Sequence, residues 1–209
     1  MNVRIKYPRT LHLPWSESIS SDDKVLESVE VFLGKRVVVT EKMDGENTTL
    51  YSDYIHARSL DSRHHISRDW VKGLWSSIKH NIPEGWRVCG ENLYARHSIS
   101  YNFLESYFLV FSIWDGMLCL GWEDTISYSL MLGLRTVPIL YIGEFSESVI
   151  KGLWRGRNSN SEGYVVRLHE SFNYSEFSNC VGKFVRQNHI QTGDSWSSSE
   201  VVKNSLRSL

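Results

Sequence analysis

The run Arg36-Val37-Val38-Val39-Thr40-Glu41-Lys42-Met43-Asp44-Gly45-Glu46-Asn47-Thr48-Thr49-Leu50 sets a β-branched stretch before a short acidic turn and a second strand-like stretch after it. Val and Thr are stiff at their first side-chain torsion and suit a pleated strand, whereas Asp and Gly interrupt one. The pattern predicts strands over residues 36–40, 48–52 and 54–58. Working outward, Ile66, Trp70, Val71, Leu74, Trp75 and Ile78 recur at helical spacing, so residues 66–78 are expected to form an amphipathic helix. Further strands are expected at 86–90, 107–114, 137–142, 163–168 and 182–187, and helices at 122–132 and 149–154. Strands interleaved with helices indicate a mixed α+β fold.

The bulk numbers narrow the class. A chain of 209 residues with 41% apolar content supports one sizeable core. We expect a main domain over residues 1–186, with 1–35 as its lead-in, and a short polar extension over 187–209, either a short helix or a loose tail. The formal net charge is −1, so any surface for nucleic acid must be a local patch. Eight Trp, ten Tyr and eight Phe supply core rings and surfaces on which bases can stack. Cys89, Cys119 and Cys180 are widely spaced with no CxxC pair, which argues against a zinc site or disulfide framework and for a reduced compartment. The N-terminus has no apolar signal region, and the longest apolar run, residues 107–114, is far too short to span a bilayer. The expectation is a cytoplasmic protein with no membrane partner.

Lys42 stands where the strongest strand meets the acidic turn. Surface turns of this composition are common, so KxDG alone is a weak signal. The sharper reading makes Lys42 a covalent nucleophile whose amine attacks the α-phosphorus of ATP and then passes the nucleotide on. A lysine nitrogen attacks only when neutral, so this reading expects a pKa lowered by burial, a metal or another cation. Gly45 is expected to let the backbone approach the nucleotide closely.

Five later segments accompany the turn in order. They are Ala57-Arg58-Ser59-Leu60-Asp61-Ser62-Arg63, Val88-Cys89-Gly90-Glu91-Asn92, residues 107–115, Glu162-Gly163-Tyr164-Val165-Val166 and Lys183-Phe184-Val185-Arg186. With Glu41–Asn47 as motif I, these resemble motifs Ia, III, IIIa, IV and V of the covalent nucleotidyltransferases, the polynucleotide ligases and mRNA-capping enzymes. The turn Glu41-Lys42-Met43-Asp44-Gly45-Glu46-Asn47 is more similar to the T4 type 2 RNA ligase group than to DNA ligases, which tend to carry Arg after Gly-x.

The resemblance implies an adenylation domain of antiparallel sheets with flanking helices, an ATP-grasp-like ligase core without an OB domain. It implies an ATP-dependent RNA ligase that joins 5′-phosphate and 3′-OH ends through lysyl-AMP with Mg²⁺ or Mn²⁺, with an end-healing repair partner and no membrane partner. Residues 187–209 are too few for the OB fold of DNA ligases and capping enzymes, and residues 1–35 too few for the extra domain of NAD-dependent ligases.

Roles carry over position by position. Lys42 matches the adenylated lysine and Lys183 the lysine on the α-phosphate, whose charge grows in the transition state. Glu41 matches the adenine contact, Asn47 a phosphate- or metal-positioning residue, and Arg58 the contact to ribose or the 3′ side of the nick. Glu91 matches the ribose-binding carboxylate, Phe111 the adenine-stacking aromatic, and Glu162 the metal-serving acid. Arg186 is the second basic residue of motif V, although its spacing, K-F-V-R, departs from the family's KxK. Arg63, His64, His65 and Arg68 form a basic loop beyond motif Ia, expected to hold nucleic acid, with Arg96 and His97 extending it. The His pair lacks further ligands at metal-binding spacing. Two rival readings stay open: a minimal DNA ligase, and a non-catalytic nucleotide- or RNA-binding module of the same fold.

Overall fold

The computed structural model describes residues 3–61, 64–154, 161–187 and 201–207. The chain forms β1 (Leu11–His12) and β2 (Arg36–Lys42), reverses through residues 43–45, and continues as β3 (Glu46–Leu50) and β4 (Ile55–Ala57). Helix α1 (Asp69–Ile78) precedes β5 (Trp86–Asn92), β6 (Phe108–Asp115) and β7 (Leu118–Cys119). Then come α2 (Trp122–Met131), β8 (Arg135–Thr136), β9 (Ile139–Glu144) and α3 (Glu147–Gly152). The last described elements are β10 (Gly163–Leu168), β11 (Phe172–Asn173), α4 (Phe177–Cys180) and β12 (Val181–Val185). The α+β expectation holds, and each strand or helix expected from the pattern has a counterpart within a few residues. Four two-residue strands, β1, β7, β8 and β11, and the short α4 carry too little pattern to be legible alone.

Two sheets divide these strands. The first runs β1-β12-β10-β2-β9, and the second β11-β7-β6-β5-β3-β4 with β8 beside β6. Pairing is antiparallel except for β1 with β12 and β6 with β8. The acidic turn after β2 is therefore the point where the chain leaves one sheet and enters the other. Val37 and Val39 join the core under the first sheet, while Val38 points to a cluster with Met43, Leu93 and Trp122 on its other face. Burial on both faces explains why this strand is continuously apolar instead of alternating.

Helix α1 packs Val71 and Ile78 against Leu50, Val88, Phe108 and Ile113 of the second sheet. Its expected first turn, residues 66–68, is a tighter 3-10 turn in which the His65 side chain accepts from Ser67 N–H. Residues 201–207 run beside the loop after β5, with Asn204 N–H donating to Tyr94 O at 3.1 Å and Ser205 N–H to Tyr101 O at 2.9 Å. This stretch is neither a helix nor a loose tail. Asn204 explains the difference: it is buried, accepts from Tyr101 N–H at 2.9 Å and donates to Leu93 O at 2.8 Å.

Candidate active site

A cleft of about 630 Å³ opens between the two sheets and is lined from both. Strand register decides what the first sheet contributes. Lys42 lies opposite Gly163, Thr40 opposite Val165, and Val165 opposite Lys183. Side chains directly across a ladder share a face, as do alternate residues along a strand. Thr40, Lys42, Val165 and Lys183 thus meet on one face, and all four line the cleft. The second sheet supplies Asn47 and Glu91, which are register partners on β3 and β5.

Phe111 reaches the cleft through a β-bulge. The β5–β6 register slips between Cys89 and Gly90, pairing them with Ser112 and Val110 and leaving Phe111 between. Bulges re-aim a side chain out of strict alternation. Phe108 and Trp114, the neighbouring aromatics, are fully buried in the core.

The closest polar contact in the cleft joins Lys42 Nζ to Glu162 Oε1 at 2.5 Å. Glu162 precedes β10, and its geometry depends on Gly163, where a Cβ would collide with the Phe184 backbone of β12. Gly45 answers to packing as well: a Cβ there would lie 2.5 Å from Asn92 O and 2.8 Å from Leu93. The close approach that demands this glycine is to the end of β5, and Gly45 also lines the cleft where the nucleotide is expected.

Charge in the cleft is unevenly distributed. Burial by itself lowers the Lys42 pKa, but the carboxylates of Glu162, Glu91 and Asp44 outweigh it and the pKa is raised. The shift therefore runs opposite to the expected lowering, because carboxylates stabilise the ammonium. Glu91 is pushed up to about 8, first by burial and then by the negative charge of Glu162, Asp44 and Glu46, with Lys42 opposing. Lys183 moves the other way: burial and the charge of Lys42 lower its pKa against Asp23 and Glu162.

These groups also answer whether a divalent cation suits the cleft. Among the described residues, no three His, Cys, Asp or Glu converge as a ready-made cage. Glu162 and Glu91 nonetheless offer hard oxygens, and the buried Asn47 Oδ1 has no hydrogen-bond partner among the described residues. That donor set fits a cation such as Mg²⁺, which keeps several waters and bridges phosphates.

The other expected residues fall into two groups. Glu41 and Arg58 line the cleft, and Arg58 stands near Arg9. Burial and then the Arg9 charge lower the Arg58 pKa. Arg186 does not line the cleft; its Nε donates to Ser161 O at 2.9 Å and its N–H to Glu162 O at 3.0 Å, clamping the backbone that carries Glu162. Arg68 is committed to a two-point pair with Glu46, Nε to Oε2 at 2.7 Å and the other nitrogen to Oε1 at 2.5 Å. His64 is exposed and contacts Asp69 at 3.0 Å. Arg63 lies outside the described residues, as do residues 188–200 of the polar extension.

Some site residues were not anticipated. Asp44 Oδ2 accepts from Ser98 N–H, Ser98 Oγ and Ile99 N–H at 2.9, 2.6 and 2.9 Å, fixing the loop that carries His97 to the cleft wall. The lead-in supplies another wall through Tyr7, Arg9, Asp22 and Asp23. Tyr7 meets Phe111 edge-on with ring centroids 5.1 Å apart. The Lys-x-Asp-Gly spacing marked Asp44, but nothing in local sequence tied residues 7–23 to the site.

Known proteins bear on this architecture. A family model described as RNA ligase matches residues 35–185. No curated protein matches the chain. Among solved structures, Naegleria gruberi RNA ligase with PPi is 20% identical, with a TM-score of 0.54 over 87% of this chain and 57% of that one. A mutant of the same ligase with ATP and Mn is 18% identical, with a TM-score of 0.52 over 87% of this chain and 58% of that one. At that identity the likeness establishes the fold, and the chain spans less than two thirds of those proteins' length. The family match covers the strand, turn and cleft residues from Arg36 to Val185, and on that ground the chain belongs to the RNA ligase family.

Proposed function

We propose that this protein is an ATP-dependent RNA ligase that seals 5′-phosphate and 3′-OH ends through AMP carried on Lys42. The observation that carries the reading is the Lys42–Glu162 contact of 2.5 Å inside a cleft that also holds Glu91, Asn47, Phe111 and Lys183. In the first step the neutral Lys42 nitrogen forms a bond to the α-phosphorus, and the bond to the β-phosphate oxygen breaks as pyrophosphate takes the electron pair. Glu162 is the nearest acceptor for the proton Lys42 must lose. Glu91 lines the same cleft and can accept hydrogen bonds from the ribose hydroxyls.

Lys183 offsets charge on the α-phosphate, and Phe111 and Val165 give the base an apolar slot. When bound, a divalent cation such as Mg²⁺ or Mn²⁺ supplies positive charge to the phosphates and competes with Lys42 for the carboxylates. The Naegleria structures with ATP and Mn support this choice of nucleotide and metal. At the mouth, Arg9 and Arg58 set like charges near each other, an arrangement that favours a polyanion. We place the RNA strand there ahead of His64 and Arg68, which already contact Asp69 and Glu46. A cytoplasmic setting and an end-healing partner belong to the same reading; no described helix is long and apolar enough to cross a membrane.

The test is incubation with α-labelled ATP and Mg²⁺ followed by a denaturing gel. An acid-labile labelled band is expected; no band on the intact protein favours a non-catalytic binding module. Sealing of nicked RNA in preference to nicked DNA separates the RNA ligase from a minimal DNA ligase.

A further inference from the structure

The lead-in closes a ring of contacts around Lys183. Strand β1 runs parallel to β12 with His12 opposite Lys183, so the two side chains share a face. Asp23 follows in the next loop, where Ser20 donates to its Oδ2 through the backbone N–H at 3.0 Å and the hydroxyl at 2.8 Å. The other oxygen, Oδ1, lies 3.6 Å from Lys183 Nζ and 3.3 Å from His12 Nε2. His12 is fully buried, and its Nδ1 meets the Ser16 hydroxyl at 2.8 Å. That hydroxyl accepts the Val185 N–H at 2.9 Å, returning the ring to β12.

Lysine is a point charge on a flexible stem, so its usefulness to a phosphate depends on what holds the stem. Two carboxylates attract the Lys183 ammonium, Asp23 and Glu162. Glu162 already holds Lys42, and the two lysines repel each other. Asp23 gives Lys183 a counter-charge of its own on the opposite flank. At 3.6 Å the pair is too long for a hydrogen bond, so Asp23 attracts the ammonium without occupying its donors.

We propose that Asp23, fixed by Ser20 and backed by His12, is the positioning residue of Lys183. It keeps the ammonium away from Glu162 and directed at the α-phosphate. This rests on the reading of Lys183 as the phosphate contact, and it makes the lead-in part of the catalytic apparatus.

The test is a double-mutant cycle on single-turnover enzyme–AMP formation, with folding followed by thermal melting. Asp23→Asn is expected to slow the step by about 10–100-fold, the scale of a misplaced reacting group. Asp23→Glu, which restores the charge, should recover most of that loss. In a Lys183→Ala background, adding Asp23→Asn should change the rate by less than about threefold, because residues acting as a unit are not additive. An equal loss in both backgrounds means that Asp23 acts independently of Lys183, and the proposal fails while the role of Lys183 stands. A wild-type rate for Lys183→Ala alone overturns that role and the proposal with it. Should Asp23→Asn melt early, Ser20→Ala carries the same cycle: several-fold slowing beside Lys183 and none without it, with equal slowing in both backgrounds counting against the proposal.

Discussion

Lys42 and Lys183 are amines on one face of one sheet, and their surroundings move them in opposite directions. Both lose hydration on burial, which disfavours the ammonium. Around Lys42 the carboxylates of Glu162, Glu91 and Asp44 more than offset that loss, whereas around Lys183 burial and the Lys42 charge prevail over Asp23 and Glu162. The local count of carboxylates, not burial alone, sets the sign. On the proposed role of Lys42, the attacking amine is released from the ammonium only when something else engages its carboxylates. Lys183, held at longer range, has donors left for a phosphate.

The sharpest break in the comparison is removal of Lys42, the proposed nucleophile. Lys42→Ala should abolish the labelled enzyme–AMP band with the melting curve still cooperative. Lys42→Arg should fail as well, since a guanidinium stays protonated at any working pH. A labelled phosphoramidate in either variant would falsify the assignment of Lys42.

Next in size are the partners of the chemistry. Lys183→Ala and Glu162→Ala should each slow adenylation by on the order of 10²–10³, the usual cost of one preorganised charge. They should differ in Mg²⁺ response: added cation should partly compensate for loss of Lys183 but not for loss of Glu162, the proposed metal-serving acid. Identical Mg²⁺ titrations for the two variants would remove that distinction.

A smaller effect is expected at the pair behind motif I. Arg68→Ala leaves the mostly buried Glu46 carboxylate without its two-point partner, at a cost on the order of 1–3 kcal/mol. For a chain of this size that corresponds to a melting temperature lower by roughly 2–4 °C per kcal/mol. Because Glu46 adjoins Asn47, adenylation should weaken along with RNA sealing. A variant that loses sealing alone would return Arg68 to the role of a free RNA contact.

The smallest effect is a slope. Glu91 has its folded pKa raised from the ordinary 4.5 to about 8, so the folded state holds a proton that the unfolded chain releases. Its contribution to stability is fully present below 4.5 and is lost as pH rises through about 8. Glu91→Gln cannot titrate, so its melting temperature should fall less than that of the wild type across this window. Parallel melting profiles would mean that Glu91 is less burdened by its neighbours than Lys42 is relieved by them.

Much of the fold was legible because the long strands and helices carry strong local patterns. Val37–Val39, the stripe on α1 and the β-branched run of β10 announce themselves within a few residues. The two-residue strands do not, since they exist only through a partner: β1 through β12, and β11 through β7. The basic loop shows the opposite failure. Its residue types were read correctly as cationic, but whether Arg68 is free depends on Glu46, which lies 22 positions away.

The amino-acid sequence by itself determined the family to which this chain belongs and marked its candidate residues, because motif spacing and residue type are local properties. A lysine just before Asp-Gly at a strand end, with glutamates and a second lysine in or beside later strands, needs no coordinates to be noticed. Tertiary structure alone decided how those charges stand to one another. Register sets Lys42 against Gly163 and Lys183 against Val165, a bulge turns Phe111 inward, and the lead-in brings Asp23 to Lys183 across 160 residues of sequence separation. Electrostatic interaction depends on distance and dielectric surroundings, and chain separation enters neither. That is why Lys42 stood out among its neighbours in the chain as the candidate nucleophile, while the balance of charge around it did not.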